Sequence, residues 1–173
     1  MIGIPLGLLY ANAGEWVIHK YILHGLGRRK SSFWSFHWHE HHRAARQHQM
    51  VDDAYARPLS GWNAQTKEAA ALALTALAHL PLLPVAPFFV GAAWYAMANY
   101  YRVHRRAHLD PAWAAAHLPW HADHHLGKNP DANWCVTRPW FDRLMGTRVS
   151  ATEQSRFRPS AAPGSSPTSP PPA

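Results

Sequence analysis

The sequence is poor in cysteine, which limits the kinds of site it can build. Its 173 residues contain one cysteine, Cys135. This excludes an intramolecular disulfide framework, a cysteine-rich zinc site and a thiolate-bound iron–sulfur cluster, so any metal ligands must be nitrogen or oxygen. The sequence also lacks a glycine-rich dinucleotide or P-loop pattern, so any electrons that its chemistry needs must come from a partner. The length predicts one domain.

Acidic residues are scarce as well, because the chain has 17 Lys and Arg against 10 Asp and Glu. No recognisable nucleic-acid module carries this excess of positive charge, so lipid is favoured over nucleic acid as the partner. The basic residues lie beside histidine clusters and at the ends of apolar runs, as in the cytoplasmic flanks of membrane segments. They are Arg28-Arg29-Lys30, Arg43 with Arg46, and Arg102 with Arg105-Arg106.

Formal charge is absent from Ala69 to Tyr101, a run that carries prolines at its middle. This pattern predicts two short helices joined by a proline-rich turn, either in a membrane or as a buried hairpin of a soluble protein. Met1 to Leu23 predicts an apolar helix long enough to cross a bilayer, ended by Gly25 and Gly27. The predicted fold is an all-α, integral membrane helical bundle with a cytosolic histidine-rich cap. It covers residues 1–149, and residues 150–173, rich in Ser and Pro, are predicted to be a disordered tail.

Histidine, by contrast, is abundant, with 14 residues. Ten of them form four clusters: His19 with His24; His37 with His41 and His42; His104 with His108; and His121 with His124 and His125. Residues three or four apart share a helix face, so most of these clusters suit metal binding. His19 and His24 fit a shared ion less well, because five residues turn an ideal helix by about 140° beyond a full turn. A single cluster could instead be a solvated helix face, and a lone histidine on an apolar face is usually a core residue. Four clusters predict metal, and ten imidazoles exceed what one six-coordinate ion uses, so two ions are implied.

Zinc, copper, iron and nickel all accept imidazole ligands. Zinc would indicate hydrolysis by an activated water, with Glu40 or Asp123 as a candidate base. Two irons beside a bilayer would instead activate oxygen next to an aliphatic chain, and the predicted membrane location favours iron. A metal-handling protein is a further alternative, but its pathway would need ionisable groups within the hairpin, where only His79 lies.

The order of the clusters resembles that of a known family. It is similar to the order of the histidine boxes in the fatty acid hydroxylase and sterol desaturase superfamily. The four clusters read His-x4-His, His-x3-His-His, His-x3-His and His-x2-His-His, and the predicted hairpin lies between the second and the third. The resemblance runs from Glu15 to Thr147 and includes the closing residues Trp140-Phe141-Asp142-Arg143-Leu144-Met145-Gly146-Thr147. The second box departs from the commoner His-x2-His-His, so its first ligand is either His37 or His39. We choose His37, whose helical spacing to His41 is better.

Matched box by box, the resemblance implies no catalytic residue beyond the iron ligands. These are His19, His24, His37, His41, His42, His104, His108, His121, His124 and His125. Candidates for orienting the ligands from behind are Glu15, Asp123, Asp131, Asn133 and Asp142.

The resemblance also implies a function. Two iron ions, dioxygen and two electrons would hydroxylate an unactivated C–H bond of a lipid, fatty acyl or sterol-like. The electrons would come from a cytochrome b5-like protein or from a ferredoxin with its reductase, and the site would lie on the cytoplasmic face of the membrane. Carotenoid hydroxylation and lipid desaturation, within the same superfamily, are alternatives. The closing motif and the third box favour the fatty acid hydroxylase branch.

Overall fold

The computed structural model of the protein describes residues 2–151, which form helices and loops and contain no strand. The all-α prediction is therefore confirmed for this part of the chain. The predicted disordered tail lies outside the described residues, apart from its first two positions.

The first helix changes its winding partway along. α1 (Gly3–Val17) runs without a break into a π-helical segment, π1 (Ile18–Leu26), which ends at Gly27. A Cβ atom on Gly27 would lie 1.9 Å from the Leu23 carbonyl oxygen and 2.8 Å from the Trp34 carbonyl oxygen. Only glycine fits this close approach, and it ends the helix where the sequence predicts.

The first helix packs closely against α4 (Pro87–Leu109), the longest helix of the described chain. A Cβ atom on Gly7 would lie 2.5 Å from the Phe89 carbonyl oxygen and 2.8 Å from the Ala92 Cβ atom. Gly3, one turn earlier, faces the backbone of Phe89 in the same way. Glycines four residues apart let two helix backbones approach, a device common in membrane helix pairs.

The predicted hairpin is confirmed. α3 (Ala64–Ala78) and α4 are joined by a turn that includes a 3-10 segment at Leu80–Leu82. α3 starts with a capping box in which the side chain of Asn63 accepts from the Thr66 N–H group. The Trp94 indole N–H donates to the Ala76 carbonyl oxygen at 3.0 Å across the hairpin. Within residues 2–151, no helix combines the length and the apolar character needed to cross a membrane. The membrane part of the prediction is thus not confirmed.

A cap of short helices covers the carboxyl end of π1 and α4. It contains a second π-helical segment, π2 (His37–His41), which runs directly into α2 (His42–Gln47). A 3-10 turn follows at Asp53–Ala56. Prolines at the first positions of α5 (Pro111–His117) and α6 (Pro119–Leu126) start those helices, and α7 (Trp140–Leu144) closes the domain. All ten predicted ligands lie on the helical segments that meet here.

Candidate metal centre

The structure gathers all ten predicted ligands into two adjacent groups of five buried imidazoles. Group A consists of His19, His24, His37, His42 and His124, whose potential ligand atoms all lie within 4.8 Å of one another. The same holds in group B for His41, His104, His108 and His125. His121 completes group B, since its Nε2 atom is 3.2 Å from that of His108. Ligation itself stays a prediction.

The π-helical segments determine which histidines share a group. A π-helix closes its turn at five residues, so positions i and i+5 lie on one face. His19 and His24 therefore point to the same centre, and their ring centroids are 5.0 Å apart. This corrects the expectation that their spacing suits a shared ion poorly, which assumed ordinary α-helical winding.

The same winding separates two residues that α-helical spacing paired. His37 and His42, five apart, both belong to group A, with their Nε2 atoms 3.2 Å apart. His41 instead belongs to group B, so the expected clamp formed by His37 and His41 on one ion was wrong. π2 thus places ligands into both groups from a single turn.

Helix α6 also divides its ligands, again against the expectation of one shared face. His124 belongs to group A, whereas His125 belongs to group B together with His121. On α4, His104 and His108 behave as their i, i+4 spacing predicts, and their Nε2 atoms are 3.2 Å apart. Neighbouring residues of α6 therefore serve different centres and hold the two groups side by side.

Oxygen acceptors fix the tautomer of five of these histidines. A ring nitrogen that contacts a carbonyl or carboxylate oxygen must carry a proton, which leaves the other nitrogen with a free lone pair when the ring is neutral. In each case the bonded atom is Nδ1. The pairs are His19 with Trp134 O (2.5 Å), His124 with Ala132 O (2.6 Å), His108 with Met50 O (2.7 Å), His41 with Asp52 Oδ2 (2.8 Å) and His104 with Glu68 Oε1 (2.9 Å).

The close approach of these lone pairs calls for a cation. His104 and His108 each donate through Nδ1 to an oxygen, so no proton lies between their Nε2 atoms, which are 3.2 Å apart. Two lone pairs at this distance repel each other unless a positive ion lies between them. Nitrogen ligands at about 2.1 Å from an ion are about 3.0 Å apart at neighbouring octahedral positions and about 3.4 Å in a tetrahedron. The Nε2 separations in group A run from 3.0 Å, the octahedral value, to 3.2 Å, midway between the two geometries.

Burial keeps the imidazoles neutral, which a metal ligand requires. Burial lowers the pKa well below the ordinary value of histidine, and neighbouring imidazoles lower it further, because a charged ring would lie in a poorly solvated site beside other potential charges. The pKa is lowered in this way for His37, His42, His104, His108, His121, His124 and His125.

Several buried ring nitrogens have no hydrogen-bond partner in the described chain. Both nitrogens of His125 are in this position, as are Nδ1 of His24, His42 and His121 and Nε2 of His41. A buried polar atom without a partner costs about 1–3 kcal/mol. A metal bond would satisfy Nε2 of His41 and one of the two ring nitrogens of His125, so these two residues fit a metal pair.

Two carboxylates orient group B, and the sequence prediction missed both. Asp52 Oδ2 accepts from His41, and its Oδ1 accepts from the Ala54 N–H group at 3.0 Å. Glu68 accepts from His104 and from the hydroxyl of Tyr55. No fixed spacing links these carboxylates to their histidines, since Glu68 and His104 are 36 residues apart. The only hint in the sequence concerns Glu68, which is the last charged residue before the uncharged run.

None of the five residues predicted to orient ligands contacts one directly. Asp123 forms an ion pair with Arg148 at 3.1 Å, and the exposed Asp131 forms one with Arg28 at 2.5 Å. Asn133, at a φ of 61°, accepts from the Val149 N–H group at 2.9 Å. These three contacts hold the loop after α6 and the end of the domain rather than an imidazole.

Glu15 and Asp142 act through that loop. Glu15 was expected to orient His19, but its carboxylate accepts from the N–H groups of Val136 and Thr137, both at 2.9 Å. Asp142 accepts from the N–H groups of Trp134 and Cys135, both at 2.8 Å. Because the loop carbonyls of Ala132 and Trp134 accept from His124 and His19, the two carboxylates fix the backbone that orients group A.

The remaining histidines make other bonds. His39 Nε2 donates to the Arg28 carbonyl oxygen at 3.0 Å, away from both groups, whereas His37 is buried within group A. His79 donates through Nδ1 to the Thr75 carbonyl oxygen at 2.7 Å. Glu40 forms an ion pair with Lys67 at 2.8 Å. The two carboxylates considered as bases for a zinc hydrolase, Glu40 and Asp123, are thus both engaged with cations.

An apolar cavity of about 320 Å³ reaches group A. Its walls come from α1 with π1, α3 and α4, and include Ile18, Leu72 and Met97. It touches His19, His37 and Glu68 at the histidine cap and Tyr10 toward the other end of the helices. About 13 Å of helix separates Tyr10 from His19 at 1.5 Å per residue. A slender apolar molecule fits this space, with one end beside the imidazoles.

A family model described as fatty acid hydroxylase matches residues 4–147, most of the chain. The match spans all four histidine clusters and the closing loop. Nothing among curated proteins or solved structures matches the chain.

Proposed function

The chain belongs to the fatty acid hydroxylase family, within the fatty acid hydroxylase/sterol desaturase superfamily, and on that premise we propose that it is a membrane-bound di-iron oxygenase. The reaction we propose is the hydroxylation of an unactivated C–H bond of a lipid, fatty acyl or sterol-like, with dioxygen and two electrons. One observation carries the proposal: two groups of five buried imidazoles lie side by side at the end of an apolar cavity.

Each group supplies five nitrogen ligands, one more than a tetrahedral zinc site uses. This number of ligands favours a six-coordinate ion such as iron in each group. Iron bound in the two groups would supply the redox chemistry that activates dioxygen. The chain's own contribution is to hold the imidazoles in the ligating tautomer, through Asp52 and Glu68 in group B and through the loop carbonyls in group A.

The cavity determines what reaches the centre. Its walls are mostly apolar, which favours a lipid chain and keeps water from the C–H bond. Because it touches His19 and His37, we propose that the end of that chain lies against group A. The position of attack is then set by how far the chain extends past the histidines toward Tyr10.

We propose that the end opposite the histidines inserts into a bilayer. Large apolar side chains are exposed at the start of α1, around the hairpin turn and at the start of α4, and clustered exposed apolar surface marks a contact region. Examples are Ile2, Leu74, Val85 and Phe88, which are 76%, 68%, 79% and 58% exposed. The histidine cap would then face the cytoplasm, with the basic residues after π1 next to it.

A partner must supply the electrons, since no dinucleotide motif is present in the sequence. We propose a small one-electron carrier, either a cytochrome b5-like protein or a ferredoxin with its reductase. Carotenoid hydroxylation and desaturation use the same kind of site and would differ in the molecule that the cavity admits.

The test is a comparison of lipid extracts from cells with the intact chain, cells without it and cells with a His124→Ala variant. We expect a lipid that gains one oxygen atom only with the intact chain. Dioxygen labelled with oxygen-18 should supply that atom. A product labelled from water, or identical lipids in all three cells under several carbon sources, would contradict the proposal.

A further inference from the structure

We propose that the surface around Trp38 is the docking face for an acidic one-electron carrier protein, and that Trp38 links this face to group A. The inference rests on the proposed function and adds where the partner binds and what charge it carries.

Trp38 connects the surface with two ligands. Its ring stacks on that of His42, with centroids 5.4 Å apart and an angle of 30° between the planes. It also meets the ring of His24 edge to face at 5.0 Å. The guanidinium of Arg28 lies 4.6 Å from the centre of the same ring. Trp38 is partly exposed, so a protein docked here would contact an aromatic ring that touches two group A imidazoles.

Positive charge lies near this tryptophan through a contact and through chain neighbours: Arg28 lies over its ring, Arg29 and Lys30 follow Arg28, and Arg43 follows the stacked His42. The basic face, as we call it, consists of six residues: Arg28, Arg29, Lys30, Arg43, Arg46 and Lys128. Within residues 2–151, only Arg28 of these forms an ion pair, with Asp131. Arg46 donates instead to the Gly127 carbonyl oxygen at 3.2 Å, which ties α2 to the end of α6. The remaining positive charge is free to attract an acidic partner.

The position of the basic face on the molecule favours a protein, rather than a lipid headgroup, as its partner. The exposed apolar residues Ile2 and Val85 lie at the opposite end of the long helices from Arg28. α1 alone is roughly 22 Å long at 1.5 Å per residue, and π1 adds nine more residues between the apolar end and Arg28. An inserted apolar end would leave the basic face in water, where electrostatic steering accelerates the encounter of small redox proteins.

The electron balance requires two such encounters in each turnover. Each carrier would deliver one electron to ions held by the two groups. Two electrons, two protons and dioxygen then convert R–H to R–OH, and the second oxygen atom leaves as water. The C–H bond and the O–O bond break, and the C–O bond, the O–H bond of the alcohol and the two O–H bonds of water form.

The test compares two double variants with the same change in charge. Arg29→Glu/Arg43→Glu removes positive charge from the basic face, and Arg102→Glu/Arg143→Glu removes it from exposed positions elsewhere. Binding of an acidic plant-type ferredoxin and of cytochrome b5 is measured on the zinc-loaded protein, where no turnover occurs. Basic cytochrome c is the control of opposite charge. Reduction of the iron-loaded protein by the same carriers is followed by stopped flow, with dithionite as the small reductant.

We expect the first double variant to slow association with the acidic carriers by about tenfold at low salt and to flatten its salt dependence. The control variant should retain the wild-type rate within a factor of two or so, and dithionite should reduce all three proteins equally. Trp38→Leu should slow reduction by the bound carrier at unchanged affinity, and Trp38→Phe should restore it.

Equal effects of the two double variants, or no effect of either, would overturn the proposal. It would also fall if Arg29→Glu/Arg43→Glu lost binding to phosphatidylglycerol vesicles but bound the carriers normally, because the face would then serve lipid. Binding to the zinc-loaded protein does not depend on hydroxylation. Carriers that bind a protein which hydroxylates no lipid would therefore contradict the proposed function and leave the docking face standing.

Discussion

Replacing Asp52 by asparagine tests whether the two histidine groups are separate metal sites. Asp52 is buried, and its two oxygens accept from His41 Nδ1 and from the Ala54 N–H group. Asparagine has nearly the same size and can keep its carbonyl oxygen on Ala54. It then turns an N–H group toward His41, which favours the tautomer protonated on Nε2. That nitrogen has no lone pair left for a metal in group B.

The magnitude follows from the role of the carboxylate. Removing a partner that orients a ligating histidine weakens metal binding by about 10- to 100-fold, or about 1.4 to 2.7 kcal/mol. Group A should keep its affinity, because its histidines are oriented by the carbonyls of Trp134 and Ala132 and not by Asp52. Asp53→Asn is the matched control, since Asp53 is exposed and neighbours the same turn.

The assay is a metal titration against a competing chelator, with metal counted on the protein after equilibrium. Wild-type protein and Asp53→Asn should bind two ions at similar chelator concentrations. Asp52→Asn should lose one ion at about 10- to 100-fold lower chelator strength and retain the other. Equal loss of both ions, or wild-type affinity for both, would refute the assignment of His41 and Asp52 to a distinct second site.

Three further predictions concern the cavity, the helix end and the metal. Gly14→Leu should lower turnover of long lipid chains more than of short ones at unchanged metal content, because Gly14 lines the cavity and faces open space. Gly91→Leu is the control in the lipid assay, since Gly91 also faces open space but does not line this cavity. Gly27→Ala should lower the free energy of unfolding in urea by about 2 kcal/mol or more, since its Cβ would lie 1.9 Å from the Leu23 carbonyl oxygen. Gly25→Ala should be tolerated, and similar stabilities of the two variants would contradict the close packing at Gly27. Stripping the metal should lower the melting temperature, since an ion at 100 times its Kd adds about 2.7 kcal/mol; an unchanged melting temperature by calorimetry would count against tight binding.

Much of the helical framework follows from local sequence patterns. The uncharged run interrupted by prolines predicts the hairpin of α3 and α4, and Pro111 and Pro119 bracket a predicted short helix that the structure shows as α5. These signals succeed because proline and the spacing of apolar residues act within one or two turns of the chain.

The sequence does not predict which histidines belong to group A and which to group B, because this assignment depends on how the helix is wound. His19 and His24, like His37 and His42, are five residues apart and meet only because the backbone is π-helical there. Spacing rules based on 3.6 residues per turn cannot anticipate this. The sequence predicts ten ligands and two ions but not which imidazoles share a centre.

Long-range contacts set the remaining features of the site. Asp52 and Glu68 reach their histidines through tertiary packing, so neither has a local signature. Glu15, which looks like a partner of His19 from its spacing, bonds instead to the loop at Val136 and Thr137. Residues i and i+4 of a helix can contact each other, but the carboxylate of Glu15 instead accepts hydrogen bonds from backbone N–H groups of the loop, which bind an ionised oxygen more strongly.

Diffraction from crystals of the iron-loaded protein, recorded at the iron absorption edge, tests the central claim most directly. We predict two anomalous peaks per chain, one bounded by His19, His24, His37, His42 and His124 and the other by His41, His104, His108, His121 and His125. A single peak, or iron located outside these two sets of imidazoles, would contradict it.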